Sequence, residues 1–332
     1  MLIRPRAWWF NKIPISVMFV ALLGDGRPAG VAFWMALALV LVAVCAAANY
    51  GYALNELFDV EEDARIGREN AAARLGATRV WIAAIFSAIA CVAAAWAGAG
   101  AIGATLAVLE LCLPLAYSVP PIRIKERRWM GVASDALAAH VFPAALALLV
   151  CARLGVTAPD AFAIAASLVW ALAAGLRGIL SHQLHTAEQD RRGGLRTVVE
   201  DAGAQRLEAL IVRVLIPLEC AGLLAVIAWC RPGPVLWCGL VLYASVEAFK
   251  MLDGRFVVAS LRPSGQRYVP MLQENFYKIW GPVVIAVDAA RVDPRFLILA
   301  AIYIAPFWIH ARIEAGRLRE VVAALRYPAH GT

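Results

Sequence analysis

The chain has 332 residues, 62% of them hydrophobic, with a mean hydropathy of +0.71. Only 17% are charged, against roughly 25% in an ordinary soluble domain, which excludes a disordered chain and argues against a water-soluble globule. The net charge of +7 does not indicate nucleic acid as a partner, because no basic stripe with interleaved aromatics lies outside the apolar segments.

Apolar stretches occur at about 12–24, 30–54, 79–98, 100–117, 132–152, 160–182, 208–229 and 234–249. A further one, 279–310, is interrupted by Asp288, Arg291, Asp293 and Pro294 and reads as one broken span or a short hairpin. About 20 residues cross a bilayer as a helix, so about nine spans are expected. The first is preceded by a basic, aromatic segment, Met1–Asn11, in which Trp8, Trp9 and Phe10 read as an interfacial belt. A cleaved signal peptide is the competing reading, and no small-residue cleavage site supports it. All seven cysteines lie in apolar segments without a CxxC pair, so they read as packing residues rather than disulfides or metal ligands.

The connections alternate. One set is short: Gly24–Gly30, the region of Ala97–Ala101, Arg153–Pro159 and Arg231–Pro234. The other is long and basic, carrying Arg65, Arg68, Arg74 and Arg79, then Arg123, Lys125, Arg127 and Arg128, then Arg191, Arg192, Arg196 and Arg206. The positive-inside rule places the long set and the N-terminus in the cytoplasm, as in a multi-pass protein of a bacterial inner membrane.

After the second apolar stretch comes Asn55-Glu56-Leu57-Phe58-Asp59-Val60-Glu61-Glu62-Asp63. Asn55, Asp59 and Asp63 are spaced i, i+4, i+8, which puts them on one face of a continuing helix, along about 12 Å of axis. The bland reading is a solvated helix end. Carboxylates at a helix C-terminus oppose the macrodipole, however, and a row of oxygens suits a hard cation that keeps waters and binds phosphate. The spacing resembles the first Asp-rich motif, usually NDxxDxxxD, of the UbiA superfamily of membrane prenyltransferases, with Glu56 replacing the acidic second residue. The residues Arg65, Gly67, Arg68 and Asn70 resemble the basic continuation of that motif.

After the fourth apolar stretch, Tyr117-Ser118-Val119-Pro120-Pro121-Ile122-Arg123-Ile124-Lys125 breaks the helix at its prolines and leaves Arg123 and Lys125 at the membrane edge. A topology-setting basic loop is the alternative. The segment resembles the family's tyrosine–lysine motif, which implies that Tyr117 and Lys125 bind diphosphate, with Arg123 in support.

The second acidic cluster, Glu188 and Asp190, follows His182, His185 and Thr186. Asp190, Gly194 and Thr197 match the family's second motif, approximately DxxxDxxxGxxT, whereas the first Asp is here Thr186. A Thr hydroxyl is a far weaker Mg²⁺ ligand than a carboxylate. Three readings remain: Glu188 supplies the missing carboxylate, Asp190 and water hold the second metal, or the chemistry is altered. His182 and His185 lack a third ligand for a transition metal and read as hydrogen-bonding or diphosphate contacts.

The region 250–280, with Asn275-Phe276-Tyr277-Lys278-Ile279-Trp280, reads equally as a cytoplasmic cap over the site or as an interfacial amphipathic segment.

The resemblance implies an all-α polytopic membrane bundle of about nine transmembrane helices around a central cavity open to the cytoplasmic side, as a single domain over residues 1–332. The implied activity is a Mg²⁺-dependent transfer of an isoprenoid group from a prenyl diphosphate to an aromatic or other small acceptor. The implied metal ligands are Asn55, Asp59, Asp63, Glu188 and Asp190, of which Asp59, Asp63 and Asp190 are catalytic. The implied diphosphate contacts are Arg68, Tyr117, Arg123, Lys125, His182 and Arg196. A membrane terpene cyclase using the same ionisation is the alternative, and a lipid transporter without catalysis is a further one.

Overall fold

The structure, a computed structural model, describes residues 5–24, 26–194, 196–252, 256–257, 267–268 and 276–326. It is all-α. The helices are α1 (Pro5–Leu23), α2 (Val31–Phe58), α3 (Val60–Arg65), α4 (Ala71–Leu75) and α5 (Ala77–Ser118). They continue as α6 (Trp129–Arg153), α7 (Ala161–Gly193), α8 (Val198–Ala202) and α9 (Ala204–Cys230). The last three are α10 (Pro234–Met251), α11 (Gly281–Ala289) and α12 (Leu297–Arg326). A two-residue parallel pairing of Phe256–Val257 with Arg267–Tyr268 is the one extended contact among the described residues.

Among these residues, six helices are long and apolar enough to cross a membrane: α2, α5, α6, α7, α9 and α10. About nine spans were expected, and the difference has physical causes. The expected spans 79–98 and 100–117 are one element, α5, of 42 residues. At 1.5 Å per residue it would be about 63 Å long, twice the hydrocarbon thickness. It avoids this by reversing at Gly100, whose backbone (φ 63, ψ −151) is open to glycine alone. A Cβ on Gly103 would collide with the Ala95 carbonyl, although eight residues of straight helix would separate them by about 12 Å. The first apolar stretch lies in α1, Pro5–Leu23, whose apolar part is Lys12–Leu23. The last divides at Pro294 into α11 and α12, the hairpin reading.

Large apolar side chains face outward on the bundle, among them Val31, Phe86, Ile89, Trp96, Ile102 and Val241. In water this would be an aggregation surface; against lipid it is the expected face. Two buried ion pairs lie inside: Arg177 with Glu219 and Lys250 with Glu247. In α6 a π-turn, Leu137–Val141, precedes Pro143. Pro143 has no N–H to offer the Ala139 carbonyl four residues back, and Lys12 Nζ donates to that carbonyl at 3.0 Å.

The short connections share one end of the bundle. Arg27 Nη1 donates to the carbonyls of Gly155 and Val156, each at 3.0 Å. Asp293 accepts from the Ala29 amide at 2.9 Å and Asp288 from the Gly233 amide at 2.6 Å. The Arg153 guanidinium lies against Gly100. The Arg295 guanidinium and the Ala29 amide hold the Asp293 carboxyl well below the usual carboxylate range.

Tyr277 and Lys278 are buried in a π-turn, Phe276–Trp280, that leads into α11. Asp253, Arg255, Arg262, Gln273, Glu274 and Asn275 lie outside the described residues, as do the side chains of Trp8, Trp9 and Phe10.

Candidate active site

The opposite end gathers both acidic clusters and the Tyr117–Lys125 segment. Helix α2 does not run straight through the first cluster. Asp59 (φ −110, ψ 11) ends it, and α3 restarts at Val60. The single continuous face expected for Asn55, Asp59 and Asp63 is therefore bent at its middle member. The bend divides the acidic residues into two groups.

One group stitches the backbone. Asp63 is 3% exposed, accepts from Asn70 Nδ2 at 2.9 Å and faces the Arg68 guanidinium at 3.6 Å. Asn70 Oδ1 in turn caps α4 by accepting from the Ala72 and Ala73 amides. Glu56, also buried, accepts from the Ala71 amide. The other group meets the basic segment. Lys125 Nζ lies 2.7 Å from Asp59 Oδ1 and 2.9 Å from Glu62 Oε2. Arg123 Nη2 lies 2.6 Å from Glu62 Oε2 and 3.4 Å from Asp59 Oδ1. Burial raises the Asp59 carboxyl above the usual carboxylate range, with Lys125 opposing it.

Local structure explains why the basic groups arrive there. Pro120 and Pro121 stop α5, and Ser118 Oγ at its end donates to Asn55 Oδ1. Arg123 adopts a left-handed backbone (φ 33, ψ 57), a strained state for a non-glycine residue that recurs at functional positions. Gly131, at the start of α6, lets that helix pack on Lys125: an added Cβ would lie 3.1 Å from the Lys125 Cα. Lys125 is thereby 7% exposed.

Helix α7 carries the second cluster, capped by Gly194 (φ 80). Its end packs on α3, with the Cβ position of Gly193 3.7 Å from Glu62 Cγ. Thr186 Oγ1 donates to Asp190 Oδ2 at 2.7 Å. Asp190 interacts electrostatically with His182, Arg68 and Glu62, and Arg68 Nη2 also reaches Gln189 Oε1 at 3.5 Å. Glu188 is directed elsewhere. Its side chain is 55% exposed and paired with Arg191 and Arg192 of its own helix. His185 bonds back to the Ser181 carbonyl. Arg196 is exposed on the loop before α8, with no contact to the cluster among the described residues.

The Tyr117 hydroxyl lies within electrostatic reach of Asp59, Glu62, Asp190 and Asp135. Glu62 and Asp135 were not singled out from sequence. Glu62 had a usable signal, since it lies one turn after Asp59; Asp135 had none, because only the folding of α6 against α7 brings it near His182.

Among the described residues no three His, Cys, Asp or Glu side chains already converge as a metal cage. Mg²⁺ does not require one, since it is commonly held by one or two carboxylates with waters and substrate phosphates. The oxygen donors of Asp59, Glu62 and Asp190, faced by Arg123, Lys125 and Arg68, fit that mode.

Deeper in the bundle lies a small, half-open pocket lined by Lys12, Phe19, Val40, Val44, His140, Ala144, Ala147 and Trp170, among others. Along α2 it begins about 16 Å from Asn55, by helical rise.

The sequence model of the UbiA prenyltransferase family matches residues 13–259. A comparison with curated proteins finds none that matches. Among solved structures, the chain is similar to a UbiA homolog from Archaeoglobus fulgidus bound to DMAPP and Mg²⁺, at 18% identity and a TM-score of 0.52, over 97% of this chain and 98% of that one. The same homolog bound to GPP and Mg²⁺ matches at 17% identity and a TM-score of 0.51, with the same coverage.

Proposed function

The chain belongs to the UbiA prenyltransferase family, and from that premise we propose that it is a Mg²⁺-dependent membrane prenyltransferase, acting as a single domain on an aromatic or other small acceptor. The observation that carries this reading is the opposition of Lys125 and Arg123 to Asp59 and Glu62 at one membrane edge, with Asp190 beside them. A prenyl diphosphate needs acidic ligands for its metal, basic groups for its phosphates and an apolar space for its tail. The homologous structures with DMAPP or GPP and Mg²⁺ support the same substrate class.

In this reading Asp59, Glu62 and Asp190 hold Mg²⁺, with Asn55 and Asp63 supporting them through Ser118 and Asn70. When bound, the metal supplies positive charge to the departing diphosphate. Lys125 and Arg123 bind diphosphate oxygens, Arg as a fork and Lys as a point charge. Both lie ready at the carboxylates, so charge stabilisation is preorganised. Tyr117 donates a hydrogen bond at the same place. Arg68 bridges the two acidic clusters from the second helix's side. The basic connections support a cytoplasmic location for this end, and for the N-terminus with it.

The test is Mg²⁺-dependent release of diphosphate from prenyl donors by the purified protein. Asp59→Ala should lower it at least a hundredfold while detergent elution is unchanged; retained turnover refutes the assignment. A cyclase is favoured by one observation, the cavity walled by Phe19 and Trp170, which suits a folded isoprenoid cation. Cyclic products formed without any acceptor would select it. A transporter would release no diphosphate at all.

A further inference from the structure

Just inward of the acidic clusters lies Asp135, a half-buried carboxylate to which the reading above gives no part. It sits on α6 four residues after Gly131, so the two share a face, about 6 Å apart along the axis. Gly131 is where α6 meets the Lys125 backbone, and Lys125 Nζ reaches Asp59. Asp135 is therefore one helical turn inward of the charged cluster. Two side chains are neighbours of both. The Tyr117 hydroxyl lies within electrostatic reach of Asp59, Glu62, Asp190 and Asp135, and His182 within reach of Asp190 and Asp135. Helix α7 comes this close because Gly175 lies against α6: a Cβ there would be 2.9 Å from the Ala136 Cα.

The surroundings leave this carboxylate unspent. Among the described residues it makes no hydrogen bond and closes no ion pair, although Lys12 of α1 faces it. Lys12 gives one proton to the Ala139 carbonyl at 3.0 Å, the carbonyl that Pro143 leaves without its helical partner. An ammonium has three donors, so others remain for a group lying between it and Asp135. Cation and anion thus face each other across a gap that neither closes. A carboxylate drawn out of water without a hydrogen bond is costly, and ionisable groups within membrane-spanning helices tend to be functional. Ser134 Oγ and Gln183 Oε1, next in sequence to Asp135 and His182, are also buried without a hydrogen-bond partner. Polar capacity at this level is not consumed by the fold.

With the diphosphate on Lys125 and Arg123, the first carbon of the isoprenoid points inward with its apolar tail. A nucleophile reaches that carbon from the inner side, where Asp135 lies. We propose that Asp135 binds the acceptor and takes its proton, and that the acceptor is a neutral phenol. A hydroxyl suits the gap, donating to Asp135 and accepting from Lys12, whereas an acceptor carboxylate would be repelled by Asp135 and an ammonium by Lys12. A phenol also gives up its proton to a carboxylate more readily than an alcohol does. In the transfer the donor's C1–O bond breaks and its electron pair leaves with diphosphate. The phenol oxygen, or the ring carbon conjugated with it, supplies the pair that joins C1, and the hydroxyl proton passes to Asp135. The product is an ether, or a dienone that becomes a phenol again when its ring proton moves to oxygen. Asp135 then releases the proton through His182, which faces it and is exposed. The proposal rests on the transferase reading above.

The experiment uses the full-length protein in detergent with Mg²⁺, geranyl or geranylgeranyl diphosphate as donor, and two matched acceptor probes, p-cresol and its methyl ether. Mass spectrometry of the prenylated acceptor and an assay of released diphosphate give the ratio of transfer to release. The wild type should prenylate p-cresol and leave the methyl ether untouched. Asp135→Asn should lower the ratio for p-cresol about a hundredfold, as loss of a positioned base does. Asp135→Ala should lower it as far, and added formate should restore part of it, a recovery that a merely structural role would not give. The comparison of phenol with methyl ether needs no variant and stands if either variant fails to fold. Prenylation of the methyl ether overturns the proposal, as does an unchanged ratio in Asp135→Asn or a fall that formate does not reverse in Asp135→Ala. Release of diphosphate by the wild type without transfer to p-cresol overturns it too. Absence of Asp59-dependent release with either donor overturns the underlying reading and this one with it.

Discussion

Lys125 presents one nitrogen to two carboxylates from a nearly buried position, and that makes it a sensitive residue in the cluster. Removing it leaves Asp59 and Glu62 close together with Arg123 left to oppose both. Lys125→Met should raise KM for the prenyl diphosphate at least tenfold, an effect of about 1.4 kcal/mol or more, and steady-state kinetics would show it; an unchanged KM would remove Lys125 from diphosphate binding. Thr186 offers the converse test. Its hydroxyl donates to Asp190, which neutralises part of one carboxylate and adds none. Thr186→Asp should lower the Mg²⁺ concentration for half-maximal activity by about tenfold, as a second hard ligand would, and a Mg²⁺ titration reads this directly. Glu188→Gln should leave that titration where it is, because the side chain is turned to Arg191 and Arg192. The motif residues themselves were legible in the sequence because their types and spacing carry the chemistry. Their division of labour was not. That Asp63 and Glu56 bind backbone and Asn70, while Glu62 meets Lys125, depends on a bend at Asp59 that no spacing rule states.

At the scale of elements, α5 was read as two spans with a short connection near Ala97–Ala101, and that reading located the reversal correctly while expecting a loop. The helix instead turns on one glycine, with neighbours small enough for the arms to touch. Gly100→Val should destabilise the protein by roughly 1–3 kcal/mol, since its backbone is closed to branched residues. Thermal unfolding in detergent should register the loss, and an unchanged midpoint would mean the turn relaxes. The run from 80 to 122, which holds no Lys or Arg and Glu110 as its one acidic residue, and the paired prolines at its end made this hairpin and its end legible. The π-turn in α6 was not legible, although Pro143 was in view. Its free carbonyl becomes meaningful only when Lys12 of a distant helix arrives.

At the scale of the molecule, the two ends differ in kind. The short connections are tied to one another by Arg27, Asp288 and Asp293, whereas the other end is built from opposed charges that can exchange partners. Alternation of short and basic loops made this polarity visible in the sequence; the buried Arg177–Glu219–Tyr277 network was invisible, because its members lie 42 and 58 residues apart and share no pattern. Chelation by EDTA should abolish turnover and Mg²⁺ restore it, with little change in thermal stability, because the acidic end is neutralised by its own Lys and Arg when the metal is withdrawn. A large drop in stability would show instead that the metal is part of the fold. The reversal at Gly100 also bears on how the protein is made. Because α5 turns back on itself, the strand of chain bearing Asp59 and that bearing Lys125 emerge from synthesis consecutively and are returned to the same leaflet by one insertion event. The charged half of the centre can therefore assemble in the nascent chain, before Asp190 has been translated, and the arrival of α7 completes a pocket whose first two walls already hold each other.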